Sequence, residues 1–211
     1  MRILRCNNEL DATTKENIMM AAEDLMNGDL VVYPTETVYG IAADIFNQKA
    51  VKNLYMVKNR PFDMPLSVAV ADKDMVENIA LMTRPVEKLI DAFLPGPLTI
   101  ITKKNPGVPD IVTSMSQKVG IRIPDNKVAI ELIEEFGGPI VATSANLHSR
   151  PDSVNVDTAI DDFGDSVKTY LDNGPCTLGK PSTIVWIMDD KVEVIRQGEI
   201  TQKQIEDVLN A

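Results

Sequence analysis

Residues 129–146 read AIELIEEFGGPIVATSAN, and this stretch decides the class of fold. Ala129, Leu132, Ile133 and Phe136 recur at i, i+3, i+4 and i+7, which puts apolar side chains on one face of a helix. Gly137-Gly138-Pro139 breaks that pattern, because glycine and proline cannot carry the helix forward. The run Pro139-Ile140-Val141-Ala142-Thr143 is apolar and too short for a second helix, so it reads as a buried strand. Its exit delivers Ser144 and Asn146. A helix feeding a buried strand is the repeating unit of an α/β sheet.

The same alternation extends in both directions. Upstream, Ile3-Leu4-Arg5 is a short strand signal, and Thr13 with Glu16 has the spacing of a capping box. Ile18, Ala21, Ala22 and Leu25 give the following helix its apolar face, with Gly28 placed to end it. Leu30-Val31-Val32-Tyr33 reads as a buried strand cut off by Pro34. Asn47 caps a helix carrying Val51, Leu54 and Tyr55 as far as Lys58. Strands are expected at 66–70, 98–101 and 119–123, with helices starting at Asp72 and spanning 85–93. Downstream come strand signals at 167–171, 183–188 and 191–196, then a last helix capped by Thr201 with Gln204. No repeat, low-complexity tract or linker interrupts the series, so residues 1–211 are expected to form one α/β domain.

The totals narrow the chemistry. The 211 residues carry 44% hydrophobic and 25% charged side chains, ordinary for a globular chain able to bury a core. Two cysteines, Cys6 and Cys176, can build neither a disulfide framework nor a zinc site, which suits a reducing compartment. The N-terminal MRILRCNNELD does not read as a signal peptide, and no window reaches ~18 apolar residues, so a cytoplasmic protein without a membrane anchor is expected. A net charge of −10 disfavours a general nucleic-acid coat, although Lys103, Lys104, Lys118 and Arg122 leave room for a local basic strip. With His148 the single histidine, a mechanism built on a histidine base has little to draw on.

Four polar segments are candidates for ligand contact, as expected of an α/β sheet whose ligands gather at strand ends. Pro34-Thr35-Glu36-Thr37-Val38-Tyr39-Gly40 offers hydroxyls and amides to a small polar ligand, or is a strand-to-helix turn capped by its own threonines. Lys58-Asn59-Arg60-Pro61 pairs a point charge with a planar fork, suited to polyphosphate, or simply complements a helix C-terminus. Ser144-Ala145-Asn146 can orient phosphate oxygens, or is a turn leaving the strand. Pro181-Ser182-Thr183, with Arg196 nearby in the next strand, offers a hydroxyl and a cation. Arg122 stands apart: a charge inside the apolar run Val119–Ile123 requires an anion, either a ligand carboxylate or an internal Asp or Glu.

In this order the segments resemble the YrdC/Sua5 family of threonylcarbamoyl-AMP synthases. The matching stretches are PTETVYGIAAD (34–44), KNRPFDMPLSVAV (58–70), LPGPLTIIT (94–102), VGIRIPD (119–125), PIVATSAN (139–146), PSTIV (181–185) and VIRQGEI (194–200), covering nearly the whole chain. The resemblance implies an α/β fold with a single open, twisted mixed sheet, flanking helices and a deep cleft. It implies formation of threonylcarbamoyl-adenylate and pyrophosphate from L-threonine, bicarbonate or CO2, and ATP with Mg2+, feeding a downstream transferase complex that makes N6-threonylcarbamoyladenosine in tRNA. By the same resemblance Lys58, Arg60, Ser144, Asn146, Ser182 and Arg196 hold the nucleotide, with Lys58 and Arg60 the catalytic cations. Thr35, Tyr39 and Arg122 hold threonine. No residue is implied as a resident metal ligand. A monomer with weak or no direct tRNA contact is expected.

The sequence departs from the family pattern in places. The loop after Asn146 reads Leu147-His148-Ser149-Arg150-Pro151 where a Ser-Gly pair is usual, and Asn126-Lys127 stand where an aspartate–histidine pair often occurs. The additional C-terminal domain of the longer Sua5 branch is expected to be absent. Two other functions share the fold: an RNA-binding module, and the carbamoyl-adenylate module of hydrogenase-maturation proteins.

Overall fold

The computed structural model describes residues 1–188 and 191–211. Among these residues ten strands form one mixed sheet in the order β1-β8-β2-β3-β7-β4-β6-β5-β9-β10. They are β1 (Arg2–Arg5), β2 (Val31–Tyr33), β3 (Gly40–Ala42), β4 (Ser67–Ala69), β5 (Leu98–Lys103), β6 (Lys118–Arg122), β7 (Ile140–Ser144), β8 (Thr169–Asp172), β9 (Thr183–Met188) and β10 (Lys191–Arg196). The helices are α1 (Ala12–Met26), α2 (Gln48–Val57), α3 (Lys73–Ile79), α4 (Arg84–Phe93), α5 (Asp110–Thr113), α6 (Lys127–Phe136), α7 (Val156–Phe163) and α8 (Gln202–Asn210).

Local chemistry sets most of the boundaries. Asn47 caps α2 by accepting from the Lys49 and Ala50 amides, Asp72 caps α3, and Thr201 with Gln204 forms a complete capping box on α8. At α1 the cap is Asp11, whose carboxylate accepts from the Thr14 amide, not the expected Thr13–Glu16 box. The stretch after Tyr33 does not enter a helix. It turns back into β3, which pairs antiparallel with β2 through Tyr33 opposite Gly40. Helices α5 and α7 were not anticipated, yet Asn155 caps α7 and Val156, Ala159 and Phe163 bury one face of it.

The two sides of the sheet are covered unequally, and this creates the site. One face packs Val32, Ile41, Val68, Ile100, Ile121, Val141 and Val185 into the main core beneath the other helices. On the opposite face α1 and α6 cover only one half, closing over Val31, Tyr33, Ala42 and Ile140. The rest of that face carries Gly40, Ser67, Gly120, Thr99, Ile101, Ile184 and Trp186 and lies open. On β3, β7, β4 and β6 alternation therefore sends Ile41, Val141, Val68 and Ile121 to the core and the small Gly40, Ala142, Ser67 and Gly120 to the uncovered side. Ligands are thus expected across the middle of the strands on this face as well as at their ends.

Candidate active site

The uncovered half-face is a cleft of about 560 Å³, within the range of small-molecule sites. Its floor is small by construction: Gly40, Ser67, Ala69, Gly120 and Ala142 sit side by side on successive strands. A Cβ on Gly120 would come within 2.7 Å of Ser67 Oγ, and one on Gly40 within 2.7 Å of the Tyr33 ring. From β3 to β9 the trough crosses five strand spacings, roughly 24 Å.

Cations stand at two places along it. Lys118 and Arg122 lie at opposite ends of β6, four residues and about 13 Å apart. Pairing of Ser67 with both Gly120 and Ala142 brings Ser144 and the Pro65 end of β4 level with Lys118. Arg60 belongs to that end, since its Nη2 donates to the Pro65 carbonyl at 2.9 Å and its Nε to Met64 O at 3.2 Å. The register of β5 and β9 brings Thr99 and Ser182 to the Arg122 end. There the two hydroxyls are 2.8 Å apart, and Arg196 donates from Nε and Nη2 to the Ser182 carbonyl. Lys118 also lies 4.6 Å from the centre of the Trp186 ring, a cation–π contact on the cleft wall.

Of the residues singled out by sequence, Thr35, Tyr39, Arg60, Arg122, Ser144, Ser182 and Arg196 line this cleft. Lys58 and Asn146 lie behind it. Lys58 is 2% exposed and donates to the carbonyls of Ser144 (2.5 Å) and Asn146 (2.6 Å), with the Phe163 ring 5.9 Å away. Burial, with a smaller push from Arg60, pulls its ammonium down to about 7. Asn146 accepts from Ser144 Oγ and donates to Arg150 O, so it braces the loop from inside. Asp162 of α7 completes the brace by accepting from the Leu147 amide and pairing with Arg150. The unusual residues 147–151 are therefore tied down on both sides.

Arg122 is a buried cation with an internal partner. Its Nη2 lies 2.8 Å from Glu36 Oε2, and its Nε donates to Gly96 O at 3.3 Å. The pair stands at ion-pair distance, yet no N–H is aligned on the carboxylate: neither Glu36 oxygen nor Arg122 Nη2 has a hydrogen-bond partner among the described residues. Thr35 Oγ1 donates to Val38 O and accepts from the Thr37 hydroxyl and amide. Both hydroxyl protons are thereby committed, so toward a ligand these threonines accept and do not donate. The Tyr39 hydroxyl is likewise engaged, donating to Gly174 O and accepting from the Asn173 amide.

The continuous basic strip is not formed. Lys104 is buried against Asp110, Val108 O and Thr113, and Arg122 turns into the cleft beside Glu36, so neither extends a strip from Lys103. His148 contributes its backbone amide to Lys58 O and is not among the cleft residues. Ser67, Asp152 and Trp186 line the cleft without a role expected from the sequence, and so does Lys118, expected only in a basic strip. For Ser67 and Lys118 a signal existed: each shares strand parity with Ala69 or Arg122 on the open face.

Comparison with known proteins agrees with this fold. The family model named for Sua5, YciO and YrdC, described as telomere recombination, matches residues 23–198. A relative from Methanocaldococcus jannaschii is 41% identical over 193 residues, covering 91% of each chain. The threonylcarbamoyl-AMP synthase of Bacillus subtilis is 37% identical over 94% of this chain, which spans 58% of that longer protein. The crystal structure of P. abyssi Sua5 complexed with L-threonine superposes with a TM-score of 0.94 at 31% identity, covering 99% of this chain and 61% of that one.

Proposed function

The chain belongs to the Sua5/YciO/YrdC family, and on that footing we propose that it is a threonylcarbamoyl-AMP synthase, making threonylcarbamoyl-adenylate and pyrophosphate from L-threonine, bicarbonate or CO2, and ATP. The observation that carries the proposal is the pair of cationic stations on one small-residue floor. The reaction must hold two anions, a polyphosphate and an amino-acid carboxylate, at a fixed separation. The trough offers Arg60, Lys118 and Ser144 at one end and Arg122 at the other.

In this reading the phosphates lie against Arg60 and Lys118, and Arg122 receives the threonine carboxylate. Ser182 and Arg196, level with Arg122, face the adenylate where its two halves meet. Lys58 and Asn146 act on the nucleotide through the Ser144 loop unless their internal bonds are exchanged for phosphate oxygens. Attack by a carbamate oxygen on the α-phosphorus needs no general base, because the nucleophile is already an anion. What the chain supplies is alignment and spreading of charge onto fixed donors.

Mg2+ suits this donor set. Among the described residues no group of three His, Cys, Asp or Glu side chains forms a cation cage, and a Mg2+ held mainly by phosphates needs none. Asp152 and Ser144 Oγ, both at the cleft, are the oxygens that would hold it, and the ion would neutralise phosphate charge. The product would pass to a tRNA-modifying transferase in the cytoplasm. Among the described residues no helix is long and apolar enough to cross a membrane.

The test is pyrophosphate release from ATP with threonine, bicarbonate and Mg2+ each omitted in turn. Every omission is expected to abolish release. Turnover undiminished without threonine would make the protein a simple ATPase.

A further inference from the structure

We propose that Glu36 neutralises Arg122 from behind the cleft and competes with the ligand's carboxylate for it, so that this internal anion limits how tightly the amino acid binds. The inference rests on the reading that Arg122 receives the amino-acid carboxylate. It concerns a residue outside the cleft lining: Glu36 approaches the guanidinium from behind, while Arg122 itself faces the trough.

Three features point to competition and not to a fixed orienting bond. The charges are 2.8 Å apart and closed off from water, but the N–H groups are not aimed at the carboxylate. A residue whose task was to orient the fork would be expected to share aligned, bidentate bonds with it. Second, among the described residues neither Glu36 oxygen has a hydrogen-bond partner, and Arg122 is its one close cationic compensation. Third, the Glu36 backbone is pinned, its carbonyl accepting from the Leu178 amide at 2.8 Å and the Thr177 hydroxyl at 3.2 Å. The turn fixes the point from which the Glu36 side chain reaches the guanidinium.

A second carboxylate arriving from the cleft must therefore share a cation already neutralised. Two carboxylates on either side of one guanidinium lie about 6–7 Å apart. At an effective dielectric near 20, repulsion between unit charges at that separation corresponds to roughly 10- to 100-fold in affinity. Removing the internal charge transfers the unmet need of the buried cation onto the ligand. The empty protein becomes less stable while threonine binds more tightly.

The experiment is calorimetric titration of threonine into wild type, Glu36→Gln and Glu36→Asp, with ATP titrated separately and melting followed with and without threonine. Glu36→Gln is expected to bind threonine about tenfold tighter or better and to leave ATP affinity within about twofold. It should melt lower when empty and gain more from threonine than wild type does. Glu36→Asp, one methylene shorter, retracts the charge and should show the same tightening to a smaller degree, which keeps the test open if the glutamine variant fails to fold. Unchanged or weaker threonine binding in a folded variant overturns competition, and weaker binding would make Glu36 an orienting residue. Threonine bound by neither wild type nor variants would sink the assignment of Arg122 as well, whereas binding by wild type without tightening sinks competition alone.

Discussion

Replacing Gly120 by alanine separates the cleft from the fold. Gly120 sits in the middle of β6 without a positive φ, so its backbone does not call for glycine. Alanine there would ordinarily firm the strand by about 0.5–1 kcal/mol. The added methyl would meet Ser67 Oγ at 2.7 Å, Ser67 Cβ at 3.3 Å and Thr99 Cγ2 at 3.5 Å. A serine hydroxyl can rotate away, so the folding cost is small and stability should stay within about 1 kcal/mol of wild type. A bound ligand has no such escape. Overpacking by one methyl costs about 1–3 kcal/mol, which converts to a loss of roughly 5- to 150-fold in kcat/KM. The assay is pyrophosphate release under saturating bicarbonate, paired with thermal melting of the ligand-free protein. A variant that melts like wild type and turns over like wild type would show that the trough floor does not touch substrate.

Arg60→Ala should lose about 2–4 kcal/mol of transition-state stabilisation, read as kcat/KM for ATP, because a preorganised donor is removed. It also loses bonds to Met64 O and Pro65 O, for about 1 kcal/mol of stability; a destabilised variant with unchanged specific activity would make Arg60 structural. Ser149 sits at φ 68°, in the left-handed region that glycine tolerates and L-residues resist. Ser149→Gly is expected to raise stability by up to about 1 kcal/mol in denaturant unfolding, and a clear loss would mean that the serine side chain earns its place. Lys58 binds its proton less tightly folded than unfolded, since burial lowers its value from 10.5 to about 7. Between about pH 7 and 10 the unfolded chain thus holds the extra proton, so stability should rise with pH across that window. Lys58→Met should flatten that rise in melting curves, and an equal slope in both proteins would contradict a lowered lysine.

Much of this architecture was legible because it depends on neighbours in sequence. Caps such as Asn47, Asp72 and Thr201, and the apolar faces of α1, α2 and α6, are local signals that tertiary contacts did not override. The misread elements fail for identifiable reasons. Asp11 outcompeted Thr13 because its carboxylate reaches the Thr14 amide at 2.8 Å, and β3 is three residues long with a glycine at its start, too brief to show alternation. Helix α7 carries an ordinary cap in Asn155 and apolar spacing in Val156, Ala159 and Phe163, a local signal as readable as those of α2 and α6. The site was legible as a set of segments but not as an arrangement. Nothing near Arg122 in sequence reveals that Glu36 is its anion, nor that Lys58 points behind the Ser144 loop. Such facts belong to chain crossings that bring distant segments together.

The central claim, that the two cationic stations join an amino acid to a nucleotide, is tested most directly by the product itself. Purified protein is incubated with ATP, Mg2+, isotopically labelled bicarbonate and separately labelled threonine, and the adenylate fraction is resolved by mass. A single adenylate carrying one threonine and one bicarbonate-derived carbon, formed in step with pyrophosphate, is expected. AMP or ADP accumulating with neither label incorporated would contradict it.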